Sequence, residues 1–271
     1  MLRSSLECVV NISTGDPSKV KELSENCEKS LLDTHSDPDH NRSVFTLFGD
    51  NLEKDLKGLC ESAFSSIDLA QHTGVHPRFG VVDVVPFVPY QLGQSAYPLD
   101  LDDALVARDQ FSSFAAEAYS VNVYTYGPDR SLPETRRAIK EGGLPNYKAN
   151  EANPHRGSIC VGARNPLVAY NLIVDTDLVE AKTIAASLRS EEVRTLVFEV
   201  RDGIQISANL VAPWMVGPIE FYEMVAAKTT IANSELVGLV PSYCIKQNRR
   251  TLETYGLSSS STIEAQYSSR A

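Results

Sequence analysis

The sequence has no C-x-x-C pair. Its five cysteines, Cys8, Cys27, Cys60, Cys160 and Cys244, are odd in number and far apart. A zinc ribbon and a disulfide framework both lose support, and a reducing compartment fits best. G-x-G-x-x-G, Walker A and G-x-S-x-G patterns are also missing, which leaves dinucleotide, NTP and α/β-hydrolase readings without a motif. No stretch approaches the roughly 18 consecutive apolar residues of a membrane span. The start, MLRSSLECVVNIS, lacks the long apolar core of a signal peptide, so a cytoplasmic protein is expected. Positive charge is in short supply: 25 Lys and Arg face 35 Asp and Glu, a formal net charge of −10. A general nucleic-acid or anionic-membrane surface is disfavoured, leaving room only for a local basic pocket.

What remains is ordinary globular material: 271 residues, of which 42% are hydrophobic, enough for one large domain or two small ones. Leu6–Ser13 reads as a strand, then a helix capped by Asp16 to about Lys29, a short strand Ser30–Thr34 and a strand Ser43–Phe48. Asp50 opens a helix to about Ala70, with Leu52, Leu56, Leu59, Ala63 and Ile67 on one face. The strand Val81–Val88 contains Pro86, which suggests a bulge or a sheet edge. An extra unit comes next: a helix Asp102–Tyr119, a strand Val121–Tyr126 and a short helix from Pro133 to Lys140. The residues Glu141–Gly157 are rich in Gly, Pro and Asn and read as an inter-domain linker or an ordered loop. Beyond them come a strand Leu167–Val174, a helix Asp177–Leu188, strands Thr195–Val200 and Ile204–Val211 joined at Arg201-Asp202-Gly203, a helix Pro218–Ile231 and a strand Leu236–Val240. Each half thus reads β-α-β-β-α-β. The expected class is α/β (α+β), two ferredoxin-like subdomains with a ligand groove between them. The expected subdomains are 1–157, including the linker 141–157, and 158–255, with the Ser-rich stretch 256–271 as a disordered tail.

Four of the five histidines lie in two polar stretches, Asp33–Arg42 and Gln71–Arg78. His76 precedes Pro77, which pushes it into an extended conformation, and Gly74 and Gly80 bracket it. A rigid loop of this kind supports a general acid/base whose ordinary pKa, about 6.5, suits proton transfer near neutrality. Taken alone, His76 is as readily a histidine that fixes its own loop. His72 fits a helix end, where a cation is favoured. Asp33, Asp37 and Asp39 are candidates to orient a histidine, although D-P-D-H-N also reads as a polar turn. Arg42 and Arg78 can anchor a substrate carboxylate through two hydrogen bonds, or pair with those aspartates. Arg164 and Asn209 are candidates to line the groove, with a charged loop and a capping amide as the plain alternatives. Trp214 can stack on a ring. A zinc site from His72, His76, His35 and Asp37 is set aside, because Gly74 and Pro77 keep the two loop histidines off one helix face.

Several stretches together resemble the formiminotransferase family. They are Leu6–Ser13, Asn41-Arg42-Ser43-Val44-Phe45-Thr46, His72-Thr73-Gly74-Val75-His76-Pro77-Arg78, Asp83–Pro89, Val123–Gly127, Gly162-Ala163-Arg164 and Glu235–Pro241. The resemblance runs in order from about Leu6 to Pro241, and its block H-x-G-x-H-P-R-x-G-x-x-D-V-x-P-F-x-P is specific. It implies two α/β subdomains with facing sheets and a folate tunnel between them. It also implies formimino transfer from N-formimino-glutamate to tetrahydrofolate, with small-molecule substrates and no metal, and His76 as the catalytic residue. Asp33, His35, Asp37, Asn41, Arg42, Arg78, Arg164 and Asn209 are the expected substrate- and folate-binding set. A homodimer is compatible with the resemblance. The chain departs from the animal members at His35 and Val75, where they carry acidic residues, and at Gln71, where they carry Arg. The block His35–Leu47 is similar to bacterial members, and no cyclodeaminase part is expected. The alternatives are formyl transfer between glutamate and folate, and a folate-binding protein without turnover.

Overall fold

The computed structural model describes residues 5–74, 77–93, 97–245 and 251–270. The chain divides into two compact units: Met1–Gln91 with Pro98–Arg164, and Leu92–Tyr97 with Asn165–Ala271.

The first unit begins with strand β1 (Ser5–Ile12) and helix α1 (Pro17–Glu25). Asp16 starts this helix by accepting from Ser18 N at 2.8 Å, and Pro17 occupies a position where no N–H is needed. Next come strands β2 (Leu31–Asp37) and β3 (Arg42–Phe48), helix α2 (Leu52–Ser66) and strand β4 (Val82–Tyr90). The four strands pair antiparallel in the order β2-β3-β1-β4, the expected ferredoxin-like arrangement. The chain then adds α3 (Asp102–Ala118), β5 (Asn122–Tyr126), α4 (Leu132–Lys140) and β6 (Ser158–Ala163). Strand β6 inserts parallel between β4 and β5, so the sheet has six strands, β2-β3-β1-β4-β6-β5.

Side chains alternate across the strands and separate two cores. Val10, Phe45, Val85 and Val161 face α1, α2 and α3, from which Leu23, Leu56 and Phe111 bury against them. Val84, Tyr126 and Cys160 turn the other way, where Leu132 and Ile139 of α4 cover them. The Tyr126 ring lies where a side chain of residue 162 would stand, so Gly162 has to be glycine.

In the second unit, β7 (Val168–Val174), α5 (Leu178–Ser187), β8 (Val193–Val200), β9 (Gly203–Leu210), α6 (Pro218–Ala226) and β10 (Ile231–Val237) repeat the same order. The sheet is β10-β7-β9-β8, antiparallel throughout. The hairpin between β8 and β9 turns at Arg201-Asp202, with Val200 opposite Gly203, whose φ of 132° suits glycine. Tyr170, Leu172, Ile206, Phe221 and Val225 form its core. Trp214 stacks on the chain's own Tyr97, 5.5 Å away at 13°, and Tyr243 packs on Tyr97 at 4.7 Å.

Three expectations need correction. Strand β4 is neither an edge strand nor bulged at Pro86; it lies between β1 and β6, and the register shift falls at Asn11/Ile12, opposite Val84 and Val82. The units divide at Arg164/Asn165 instead of 157/158, because Ser158–Ala163 forms a strand of the first sheet. The residues 141–157 stay with the first unit, as an ordered loop in which Tyr147 pairs with Val123 and Gly157 with Gly80. The stretch expected as a disordered tail is ordered over its described residues 256–270. Val240 N donates to Ser261 O at 3.0 Å, Thr262 caps α7 (Ile263–Ser268), and Leu257 and Ile263 are buried. The serines there are hydrogen-bonded to one another around a turn, and Leu257 beside them completes the core.

Candidate active site on the first unit

Strand β2 continues beyond Thr34, where a loop was expected, and carries Asp33, His35 and Asp37 on one face. Their partners on β3 are Thr46, Val44 and Arg42. The next turn is an Asx turn. Asp37 Oδ1 accepts from Asp39 N at 2.8 Å and from His40 N at 2.9 Å, and buried His40 returns its Nε2 to within 3.7 Å of Asp37 Oδ2. Asn41 closes the turn at φ 47°, a left-handed conformation that asparagine tolerates.

Asn41 is also where the two polar stretches meet. Its Oδ1 accepts from Gly15 N and its Nδ2 donates to Thr73 O, both at 2.7 Å. Its backbone oxygen lies 2.7 Å from His72 Nε2. A carbonyl only accepts, so His72 carries its proton on Nε2. His72 caps a 3-10 turn (Leu69–Gln71), yet its pKa is lowered, first by burial and also by the nearby Arg78 cation. The shift works against the cation that a helix end favours, and His72 ties the loop to Asn41 through Nε2. Gly74 matters through close approach: a Cβ there would come within 2.5 Å of His40 O.

Arg78 ties the loop to itself. Its Nη2 donates to His72 O at 2.7 Å and its Nη1 to Gly74 O at 3.2 Å. Just beyond, Phe79 N donates to Asp83 Oδ1 at 2.8 Å, and Asp83 pairs with Arg136 of α4. On the outer side, Ser158 N donates to Phe79 O, Val81 N to Arg156 O and Leu69 N to His155 O, each at 2.9 Å. The fifth histidine, His155, bonds Asp68 through Nδ1 at 2.9 Å. The end of the stretch expected to be a linker thus lines the back of the loop. Val75 and His76 themselves lie outside the described residues.

Toward the sheet, Arg42 Nε donates to Asn11 Oδ1 at 2.9 Å and its Nη2 bonds the same oxygen. Burial pulls the Arg42 pKa down to about 10, Asp83 opposes this and Arg136 adds to it; the guanidinium remains a cation at neutral pH. Burial raises the Asp33 pKa, and His35 partly opposes it. Arg164 comes directly after β6, with its N–H on Phe87 O at 3.1 Å and its guanidinium on the Tyr126 hydroxyl. Asn209 is exposed on β9 of the second unit, between Ala169 and Arg194. On that sheet Asn171 Nδ2 donates to Glu235 Oε2 at 3.0 Å.

The structure therefore gathers Asp37, Asn41, Arg42, His72 and Arg78 at one end of the first sheet, with Asp33 and His35 along the strand that leads there. Sequence reasoning misses Asn11, Asp83 and Arg136. Asp83 has a signal: it is a lone carboxylate within an otherwise apolar strand, and a buried charge needs a partner. Among the described residues, no group of three or more His, Cys, Asp or Glu is placed to hold a metal ion.

Comparison with known proteins fits this arrangement. The model of the formiminotransferase domain, N-terminal subdomain, matches residues 5–164, nearly the whole of the first unit. The chain belongs to the formiminotransferase family. Formiminotransferase relatives include the glutamate formimidoyltransferase of Thermoplasma acidophilum, 32% identical over 280 residues, 89% of this chain and 90% of that protein. The glutamate formimidoyltransferase of Streptococcus pyogenes serotype M1 is 28% identical over 272 residues, 88% of this chain and 89% of that protein. The formimidoyltransferase-cyclodeaminase of Rattus norvegicus is 27% identical over 297 residues, covering 92% of this chain and 54% of the longer protein. No helix among the described residues is long and apolar enough to cross a membrane.

Proposed function

We propose that this chain transfers a formimino group from N-formimino-L-glutamate to N5 of tetrahydrofolate, with His76 as general acid and base. The observation that carries the reading is end-to-end similarity to two glutamate formimidoyltransferases, together with a loop anchored on both flanks of His76. In the reaction, the N5 lone pair attacks the amidine carbon and forms a tetrahedral adduct. N5 then loses a proton, the glutamate nitrogen gains one, and the bond from carbon to that nitrogen breaks. One group with a pKa near neutrality serves both proton transfers. His76 takes the N5 proton and returns it to the departing nitrogen, so no net proton is consumed. Holding both substrates in one site supplies much of the rate through proximity.

The surrounding residues have roles in this reading. Asp33, His35 and Asp37 tune or orient His76. Arg42 and Arg164 offer guanidinium groups to the carboxylates of glutamate or of the folate tail. Arg78, whose end nitrogens hold loop carbonyls, places its positive charge at the same end of the sheet. Asn41 and Asn209 offer amides. The C-terminal half acts as the second, binding subdomain, tetrahydrofolate is a co-substrate, and the reaction is cytoplasmic, carried out by a homodimer. The test is turnover of formimino-glutamate with tetrahydrofolate by wild type and His76→Ala. Absence of turnover in wild type, or full turnover in the variant, removes the proposal. Running N-formyl-glutamate as donor in parallel separates formimino from formyl transfer.

A further inference from the structure

Asp83 and Arg136 are fifty-three residues apart and sit on different elements, β4 and α4, yet both reach the same three-residue segment. Asp83 Oδ1 accepts the Phe79 N–H at 2.8 Å, while its Oδ2 pairs with Arg136 Nη2. Arg136 Nη1 extends to Pro77 O at 3.4 Å, and its guanidinium lies over the Phe79 ring, 5.8 Å from the centroid. Asp83 is 3% exposed and Arg136 17%. Breaking a buried pair on one side leaves the other charge stranded, so such a pair holds one geometry firmly. The contacts act on backbone atoms of Pro77 and Phe79, so they set the path of the chain as it leaves His76.

We infer that the Asp83–Arg136 ion pair is a positioning device for the His-Pro-Arg loop, fixing the chain on the C-terminal side of His76 as Asn41 fixes it on the N-terminal side. Neither residue touches the reacting atoms in this scheme; both act through the loop. The assignment of what the loop does rests on the formimino-transfer reading, whereas the restraint on the loop does not. A reactive group displaced by about 1 Å loses on the order of 10²-fold in rate. The pair explains why the first unit carries α4 on its second face: this helix brings a cation to a carboxylate that β4 alone would leave buried and unpaired.

The experiment uses the full chain and the variants Arg136→Ala, Arg136→Lys and Asp83→Asn. Two readouts are taken: steady-state kinetics per folded enzyme, and amide hydrogen exchange of the segment 77–81. For Arg136→Ala the expected result is a kcat about 10- to 100-fold down with KM for both substrates within about twofold, the pattern of lost transition-state geometry. Added guanidinium ion recovers part of that loss, Arg136→Lys falls between wild type and Ala, and Phe79 exchange accelerates in all three variants. Asp83→Asn keeps an acceptor for Phe79 N–H but loses the charge, and its exchange rises least. Lower thermal stability with unchanged kcat per folded molecule, no guanidinium rescue and unchanged Phe79 exchange would overturn the inference. If Arg136→Ala does not fold, Arg136→Lys and Asp83→Asn decide by the same readouts. If wild type shows no formimino transfer, the functional reading fails, and the exchange measurement still decides the restraint on the loop.

Discussion

The two units share one order of strands and helices and diverge after the fourth strand. Beyond β10 the second unit adds two 3-10 turns and the short helix α7, and residues of this extension complete its core. Beyond β4 the first unit adds α3, β5, α4 and β6, two of which become strands of its sheet. The addition supplies Arg136 against Asp83 and residues 155–158 against the loop. In the second unit, one face of the sheet carries Asn171, Gln205, Ser207, Asn209 and Glu235, with Asn171 hydrogen-bonded to Glu235 across two strands. In the first unit the added chain braces the segment that follows the second polar stretch, a support the four-strand frame does not itself supply.

That contrast can be broken at its tightest point. Gly74→Ala places a methyl against the backbone oxygen of His40, which cannot swing aside as a side chain would, so the two polar stretches must separate. The expected result is a stability loss of about 1–3 kcal/mol and a fall in kcat on the order of 10²-fold, read by urea titration and turnover. Asn41→Ala removes two side-chain hydrogen bonds and puts a Cβ residue without polar compensation at φ 47°. Its cost is about 2–3 kcal/mol, and Asn41→Gly, which accepts the backbone angle, recovers about 1 kcal/mol of it. The difference between these two variants, both read by urea titration, separates the turn from the bridge.

A pH measurement sharpens the same comparison. The pKa of His72 in the folded protein lies below its ordinary value. Between those two values the unfolded chain binds more protons, so its contribution to stability is present above about pH 6.5 and is lost as pH falls through the folded pKa. Exchange protection of the loop 72–74 should decline below that pH in wild type, and the decline should flatten in His72→Gln. The smallest stability effect belongs to the second unit. Asn209→Ala, at an exposed position of β9, should change stability by less than about 0.5 kcal/mol. If Asn209 serves binding, the change appears in KM with kcat kept.

Much of the frame is legible because its helices and strands carry clean periods: Leu52, Leu56, Leu59 and Ala63 announce α2, and the Arg201-Asp202-Gly203 turn announces the β8–β9 hairpin. Strand β6 escapes because Ser158–Ala163 begins just after a Gly- and Asn-rich loop and carries a glycine of its own, Gly162. Strand β2 reads too short because Thr34–Asp37 is polar on both faces, and pairing with β3, not hydrophobicity, makes it a strand. Pro86 misleads because β4 keeps one register on β1 on either side of it, from Cys8 opposite Phe87 to Asn11 opposite Val84, although proline favours edges and bulges. Of the site, the meeting of the two polar stretches can be suspected from Asn41, Gly74 and the clustered histidines. The Asp83–Arg136 brace cannot, since nothing in two distant charges says which helix will lie over which strand.

The most direct test is turnover of N-formimino-L-glutamate with tetrahydrofolate, measured as the appearance of the formimino-folate product, in wild type and His76→Ala at equal folded concentration. Steady turnover is expected in wild type and a loss of about 10²- to 10⁴-fold in the variant, with folate binding retained. An inactive wild type that still binds tetrahydrofolate, or a variant as fast as wild type, would contradict the assignment of His76 as general acid and base in formimino transfer.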